Sequence, residues 1–165
     1  MKKVLAFDND LTEDYQAIAI SSHLKDFKLC WNLNNILKID LLKKLDFAYT
    51  AKKGSVENYS FYFYHNEDLR LTYFLLSNKK NNSQIIEKMP ETDYILLINP
   101  QLIQDEITLI IQNLKKTTNI LTAFLIDLTK IKKDRSSFIH ELELHYAAVK
   151  KKLKPDEPEQ PIDEE

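Results

Sequence analysis

The sequence predicts an α+β fold: a mainly antiparallel sheet of about five or six strands packed with four helices. Three observations lead there. The element order reads strand, two helices, several strands in direct succession, helix, strand, helix. The central stretch from Asn58 to Asn78 holds seven of the sixteen Phe and Tyr residues and alternates as a hairpin with two apolar faces, which describes the middle of a sheet. Hydrophobic residues make up 44% and charged residues 29% of the 165, enough apolar surface for one ordinary globular domain.

In order, "KKVLAFD" reads as a first strand. "LTEDYQAIAISSHL" reads as a helix, with Thr12 as N-cap, acids in its first turn and Tyr15, Ile18 and Ala19 on its apolar face. A second helix follows from about Asp26, with Phe27, Cys30, Trp31, Leu33 and Leu37 as its buried side. Trp31 is expected in the core; left outside it, the same residue becomes a surface anchor for a partner. "LDFAYTAK" is a short strand.

The hairpin turns at Asn66-Glu67, pairing Tyr64 with Leu69 and Tyr62 with Leu71. Alternation sends Tyr62, Tyr64, Leu69, Leu71, Tyr73 and Leu75 to one face. Tyr59, Phe61, Phe63, Arg70, Thr72, Phe74 and Leu76 go to the other. "TDYILLIN" is an interior strand. Asn99-Pro100 opens the third helix as N-cap and first helical residue, with Ile103, Ile107, Ile110, Ile111 and Leu114 as its stripe and Lys115-Lys116 at its negative end. "ILTAFLIDL" is the last strand. A terminal helix runs from about Ser137 on Phe138, Leu142, Tyr146, Val149 and Leu153.

Residues 1–154 are thus read as a single domain. The tail 155–165, "PDEPEQPIDEE", holds six of the 25 acids and no base, and is expected to be disordered. Without it the formal charge of −2 becomes +4, too mild to lead with phosphate contacts. No apolar run reaches the roughly 20 residues of a membrane span, and "MKKVLAFDND" is too short in apolar residues for a signal core. A cytoplasmic protein is expected, and the single Cys30 fits it.

Several chemistries are excluded or weakened. The one glycine, Gly54, rules out glycine-rich phosphate loops. His23, His65, His140 and His145 have no ligand spacing, and Cys30 lies on an apolar helix face, away from the electropositive setting of a reactive thiol. "VLAFDNDLT" resembles the first motif of the haloacid dehalogenase superfamily, with Asp8 and Asp10 as nucleophile and acid/base. No later strand ends in the paired acids that a Mg²⁺ site needs; Asp127 stands alone. A phosphatase is therefore the lesser alternative, and Asp8 and Asp10 read better as strand-end and capping groups.

The aromatic hairpin poses the question of a base-stacking platform. RNA-reading sheets flank exposed aromatics with Lys and Arg, whereas Arg70 is the only base between Asn58 and Asn78. The core reading is preferred, leaving the Phe61/Phe63 face with Arg70 as the one open to a partner.

"AIAISSHLKDFKLCWNLN", "YFLLSN", "DYILLIN" and "LTAFLID" together resemble the IPExxxVDY family, small bacterial proteins of the Bacteroidetes type. The likeness runs from about Phe7 to Asp127, and its most specific block is His23, Asp26, Cys30, Trp31 and Asn34. Asp93 and Tyr94 match the motif's Asp-Tyr, and Thr92 stands for its Val. Ile85-Ile86-Glu87 stands for Ile-Pro-Glu with one extra residue before Thr92. The resemblance implies no reaction; members tend to be encoded beside ribonuclease III and pyruvate kinase, which favours a partner. The expectation is a non-enzymatic adaptor that binds another protein, with an RNA-associated accessory role as the alternative and neither DNA nor membrane as target. Binding candidates are His23, Asp26, Trp31, Phe61, Phe63, Arg70, Asp93 and Tyr94; no catalytic set, metal or cofactor is expected.

Overall fold

A computed structural model describes residues 14–50, 56–128 and 135–153. The strand expected at "KKVLAFD", the acids Asp8 and Asp10 and the acidic tail lie outside them. The described chain runs β1 (Gln16–Ser22), α1 (Asp26–Leu37), β2 (Leu42–Thr50), β3 (Val56–Asn66), β4 (Leu71–Ser77), the two-residue strands β5 (Lys79–Lys80) and β6 (Ser83–Gln84), β7 (Tyr94–Asn99), α2 (Gln104–Lys116), β8 (Ile120–Ile126) and α3 (Arg135–Leu153). Six strands form one sheet in the order β2-β3-β4-β7-β1-β8, and all their pairings are antiparallel. The fold is α+β as expected, with three helices among the described residues. None of these is long and apolar enough to cross a membrane.

The missing helix is β1. Tyr15, Ile18 and Ala19 do fit a helical period, but the chain instead runs extended between β7 and β8. There Ala17 and Ala19 face one side of the sheet and Ile18 and Ile20 the other, all fully buried. A strand buried on both faces carries no polar alternation, so periodicity alone cannot separate it from a helix.

The sheet is the middle of three layers. On one side α1 and α2 cover Ile18, Ile20, Tyr62, Tyr73, Leu75 and Leu96. On the other, α3 and the excursion after β4 cover Phe47, Tyr59, Phe61, Phe74, Leu76 and Leu97. The hairpin's two apolar faces belong to these two cores, divided as alternation predicts. Its register differs: Tyr64 pairs with Tyr73 and Tyr62 with Leu75, four residues beyond the expected partners. The displacement is even, so the side chains that stay in the strands keep their faces, while Leu69 and Arg70 pass into the turn. Glu67 to Arg70 form the turn instead, held by the Leu69 N–H donating to the Asn66 side-chain oxygen (3.0 Å) and by Arg70 in a left-handed conformation (φ 50°).

Asn99-Pro100 does not start α2. Asn99 is the last rung of β7, opposite Thr72 on β4, and the helix begins at Gln104. Its entry is fixed from β1: Gln16 Oε1 accepts from the Leu102 N–H at 2.7 Å. Ile107 and Leu114 are buried as expected, whereas Ile103 stands in solvent ahead of the first turn.

Between β4 and β7 the chain leaves the sheet and tucks Ile85 and Ile86 under the α3-side core. Asn78, fully buried, closes this excursion. Its Nδ2 donates to Thr92 O (2.9 Å) and its Oδ1 accepts from the Ile86 N–H (2.8 Å).

Candidate binding surface

Four of the residues singled out in the sequence meet at one place, the turn from Ser22 to Phe27 that joins β1 to α1. Just ahead of β7, the Asp93 carboxylate accepts from the Ser22 N–H at 2.8 Å and from Lys79 Nζ at 3.1 Å. The next residue, Tyr94, donates its phenol to Leu24 O at 2.6 Å. From β3, Tyr62 donates to Asp26 at 3.0 Å, and Asp26 also accepts from the Phe27 N–H (2.9 Å) and Lys43 Nζ (3.4 Å). His23 stands exposed within the turn. Two strands therefore clamp both ends of a short connection and fix where α1 begins.

The clamp's electrostatics follow from partial burial. Burial alone would raise the Asp26 pKa; hydrogen bonds from Ser60, Tyr62 and the Phe27 N–H, with Lys43 alongside, outweigh it and hold the carboxyl below its usual range. Burial, then the nearby charges of Asp26 and Asp93, pushes the Tyr94 phenol up to about 12. Burial, then the hydrogen bond to Asp26 and that carboxylate's charge, raises the Tyr62 phenol as well. Each phenol stays protonated and serves as a donor at neutral pH, so the network is a fastening.

Cys30 and Asn34 fasten the other end of the helix. Asn34 Oδ1 accepts from the Leu41 N–H at 2.7 Å, and the Cys30 thiol donates to Leu41 O at 3.4 Å. Burial pushes that thiol up to about 11, partly countered by Asn34, which suits a core residue rather than a nucleophile.

What the clamped helix presents is the main correction to the sequence reading. Phe27 and Trp31, one turn apart, are not buried: they are 56% and 68% exposed. The helix meets the sheet through Leu29, Cys30 and Leu33. Phe27 and Trp31 lie off that stripe, so the assumed apolar side was rotated from the true one.

At the C-terminal end of α1 a cleft of about 370 Å³ opens between this helix, the β3–β4 turn and α2. Ile36, Leu37, Leu71 and Ile110 line it, with Tyr64, Glu106 and Lys38 as polar groups. Nothing in the linear sequence groups these segments. A second hollow of about 330 Å³ lies on the α3 side, where its polar groups engage one another: Tyr15 donates to Glu143 (2.8 Å), and Lys150 lies over the Tyr146 ring.

The remaining candidates are elsewhere. Phe61 is fully buried beneath His145 (centroids 4.7 Å) and Phe74 (5.7 Å), and Phe63 packs edge-on against Tyr146. Neither is offered as a stacking platform. Arg70 is an exposed turn residue rather than a strand neighbour of those rings. Among the described residues no three His, Cys, Asp or Glu side chains are placed to hold a metal ion.

Neither the comparison with protein-family models nor that with curated proteins returned a match.

Proposed function

We propose that this protein is a non-enzymatic, cytoplasmic protein-binding module whose docking face is the outer side of α1. The observation that carries the reading is the pair Phe27 and Trp31, exposed one turn apart on a helix whose start is clamped from two strands. Large rigid aromatics held in place before a partner arrives lose little conformational freedom on binding, and tryptophan is the residue most enriched among binding hot spots. The partner this face suits is an apolar protein patch; the nearby Lys43 and exposed Lys28 favour one with acidic groups at its rim.

The likeness to the IPExxxVDY family belongs to the same proposal. The residues that carry it do related work here: Asp26, Asp93 and Tyr94 hold the β1–α1 turn, Cys30 and Asn34 hold the helix end, and Trp31 is what they display.

The test is a pull-down from native lysate with the parent chain, a Phe27→Ser/Trp31→Ser chain and a control altered at exposed Leu109 on α2. The reading expects the same partner with parent and control, and its loss with the double variant. An unchanged capture profile would sink it. Mg²⁺-dependent phosphatase activity abolished by Asp8→Asn would replace it with the enzyme alternative.

A further inference from the structure

We propose that β8 is a self-association edge, pairing antiparallel with β8 of a second copy of this chain. The two edges of the six-stranded sheet differ sharply. At one, β2 reads "LKKLDFAYT", and Lys43, Lys44 and Asp46 give it the charges that deter another strand from adding. At the other, β8 reads "ILTAFLI" without a single charge over seven residues. It is also apolar where it meets solvent: Leu121 is 62%, Phe124 39% and Leu125 42% exposed. On its inner side β8 pairs with β1; among the described residues no strand adds to its outer side.

A second copy fits this edge better than an unrelated strand for two reasons. Antiparallel partners share faces, so a twofold pairing sets Thr122 and Phe124 among their counterparts on the α3 side. Ala123 and Leu125 meet theirs on the α2 side. Apolar groups are covered and no charge is buried, whereas a charged incoming strand would find no opposite charge on β8. The second reason is closure. Among the described residues, joining two copies through β8 leaves only the charged β2 edges at the two ends, so association stops at a closed dimer instead of growing into a fibre. The Phe27/Trp31 face is not part of this pairing, and the two proposals fail independently.

The experiment is sedimentation velocity on the full chain across a dilution series, with Phe124→Lys and, separately, Leu121→Lys. Thermal unfolding of each variant identifies any that has lost its fold. A parent species of twice the monomer mass is expected, with a dissociation constant raised at least about tenfold in either folded variant, because each lysine would carry a charge into the apolar pairing from both copies. A parent that is monomeric throughout would overturn the proposal, and so would a folded variant that dimerises as the parent does. Open-ended growth beyond the dimer would overturn the closure argument with it.

Discussion

The phenol of Tyr62, on β3, donates a 3.0 Å hydrogen bond to the carboxylate of Asp26, the first residue of α1. The two residues are 36 positions apart, and their contact ties the aromatic hairpin to the helix that displays Phe27 and Trp31. Tyr62→Phe keeps the ring and deletes the donor. The expected cost is about 1.5–3 kcal/mol by urea unfolding, the usual range for one hydrogen bond to a charged group. No measurable loss would mean that Lys43 and the Phe27 N–H suffice to hold Asp26.

The same network gives the protein two pH limbs. Asp26 is depressed in the folded state, so its contribution is complete above the ordinary aspartate value of about 4 and is lost as pH falls through the folded value. Tyr62 and Tyr94 are raised. Their contribution is complete below about pH 10 and fades as pH climbs toward their folded values, which for Tyr94 is about 12. Urea midpoints measured from acid to alkali should show both limbs. Asp26→Asn should flatten the acid limb and also shrink the alkaline one, since the Asp26 charge helps to raise both phenols; an unaltered acid limb would remove Asp26 from the account.

Trp31 is the only tryptophan, so its emission reports directly on α1. Emission typical of a hydrated indole and ready quenching by acrylamide are expected. Trp31→Ser should alter stability by no more than about 0.5 kcal/mol, as for other surface changes. A blue-shifted, protected indole would return Trp31 to the core.

Lys38 ends α1 with φ 56° and ψ 45°, the left-handed conformation that glycine takes without a Cβ penalty. Lys38→Gly should therefore stabilise the protein by up to about 1 kcal/mol, less whatever the freer unfolded chain takes back. Thermal melts at matched concentration decide it, and a lower midpoint would show that the lysine side chain has a task at the cleft.

Asn78 offers the sharpest stability test. Asn78→Ala strands Thr92 O and the Ile86 N–H in a buried setting, which should cost roughly 2–4 kcal/mol. A loss below about 1 kcal/mol would show that water reaches those groups when the side chain is gone.

Much of this architecture could be read from the sequence, and the failures share a cause. The faces of the hairpin followed from alternation because parity survives a four-residue slip; the pairing itself depended on whether Glu67 to Arg70 were turn or strand, which alternation does not encode. β1 and the start of α2 were misread where local signals competed with distant partners: β7 and β8 claim the "AIAI" run, and β4 claims Asn99. The site was half visible. Asp26, Asp93 and Tyr94 stood out through a resemblance, but their common target, the Ser22–Phe27 turn, draws on residues some seventy positions apart. The exposure of Trp31 was hidden because an aromatic on a mostly apolar helix reads as core until the sheet beneath fixes which stripe is inward.

The place of β1 also sets an order of events at the ribosome. It emerges before every other described element, yet both its neighbours, β7 and β8, are made only after residue 93. Meanwhile β2, β3 and β4 can join as a meander from near-neighbours in sequence, since local loops close at lower entropic cost. Until β7 is made the nascent chain therefore carries an apolar "AIAI" segment with neither of its sheet neighbours present. A transcript cut short between β4 and β7 leaves that segment stranded, a natural substrate for a chaperone that holds extended hydrophobic chain.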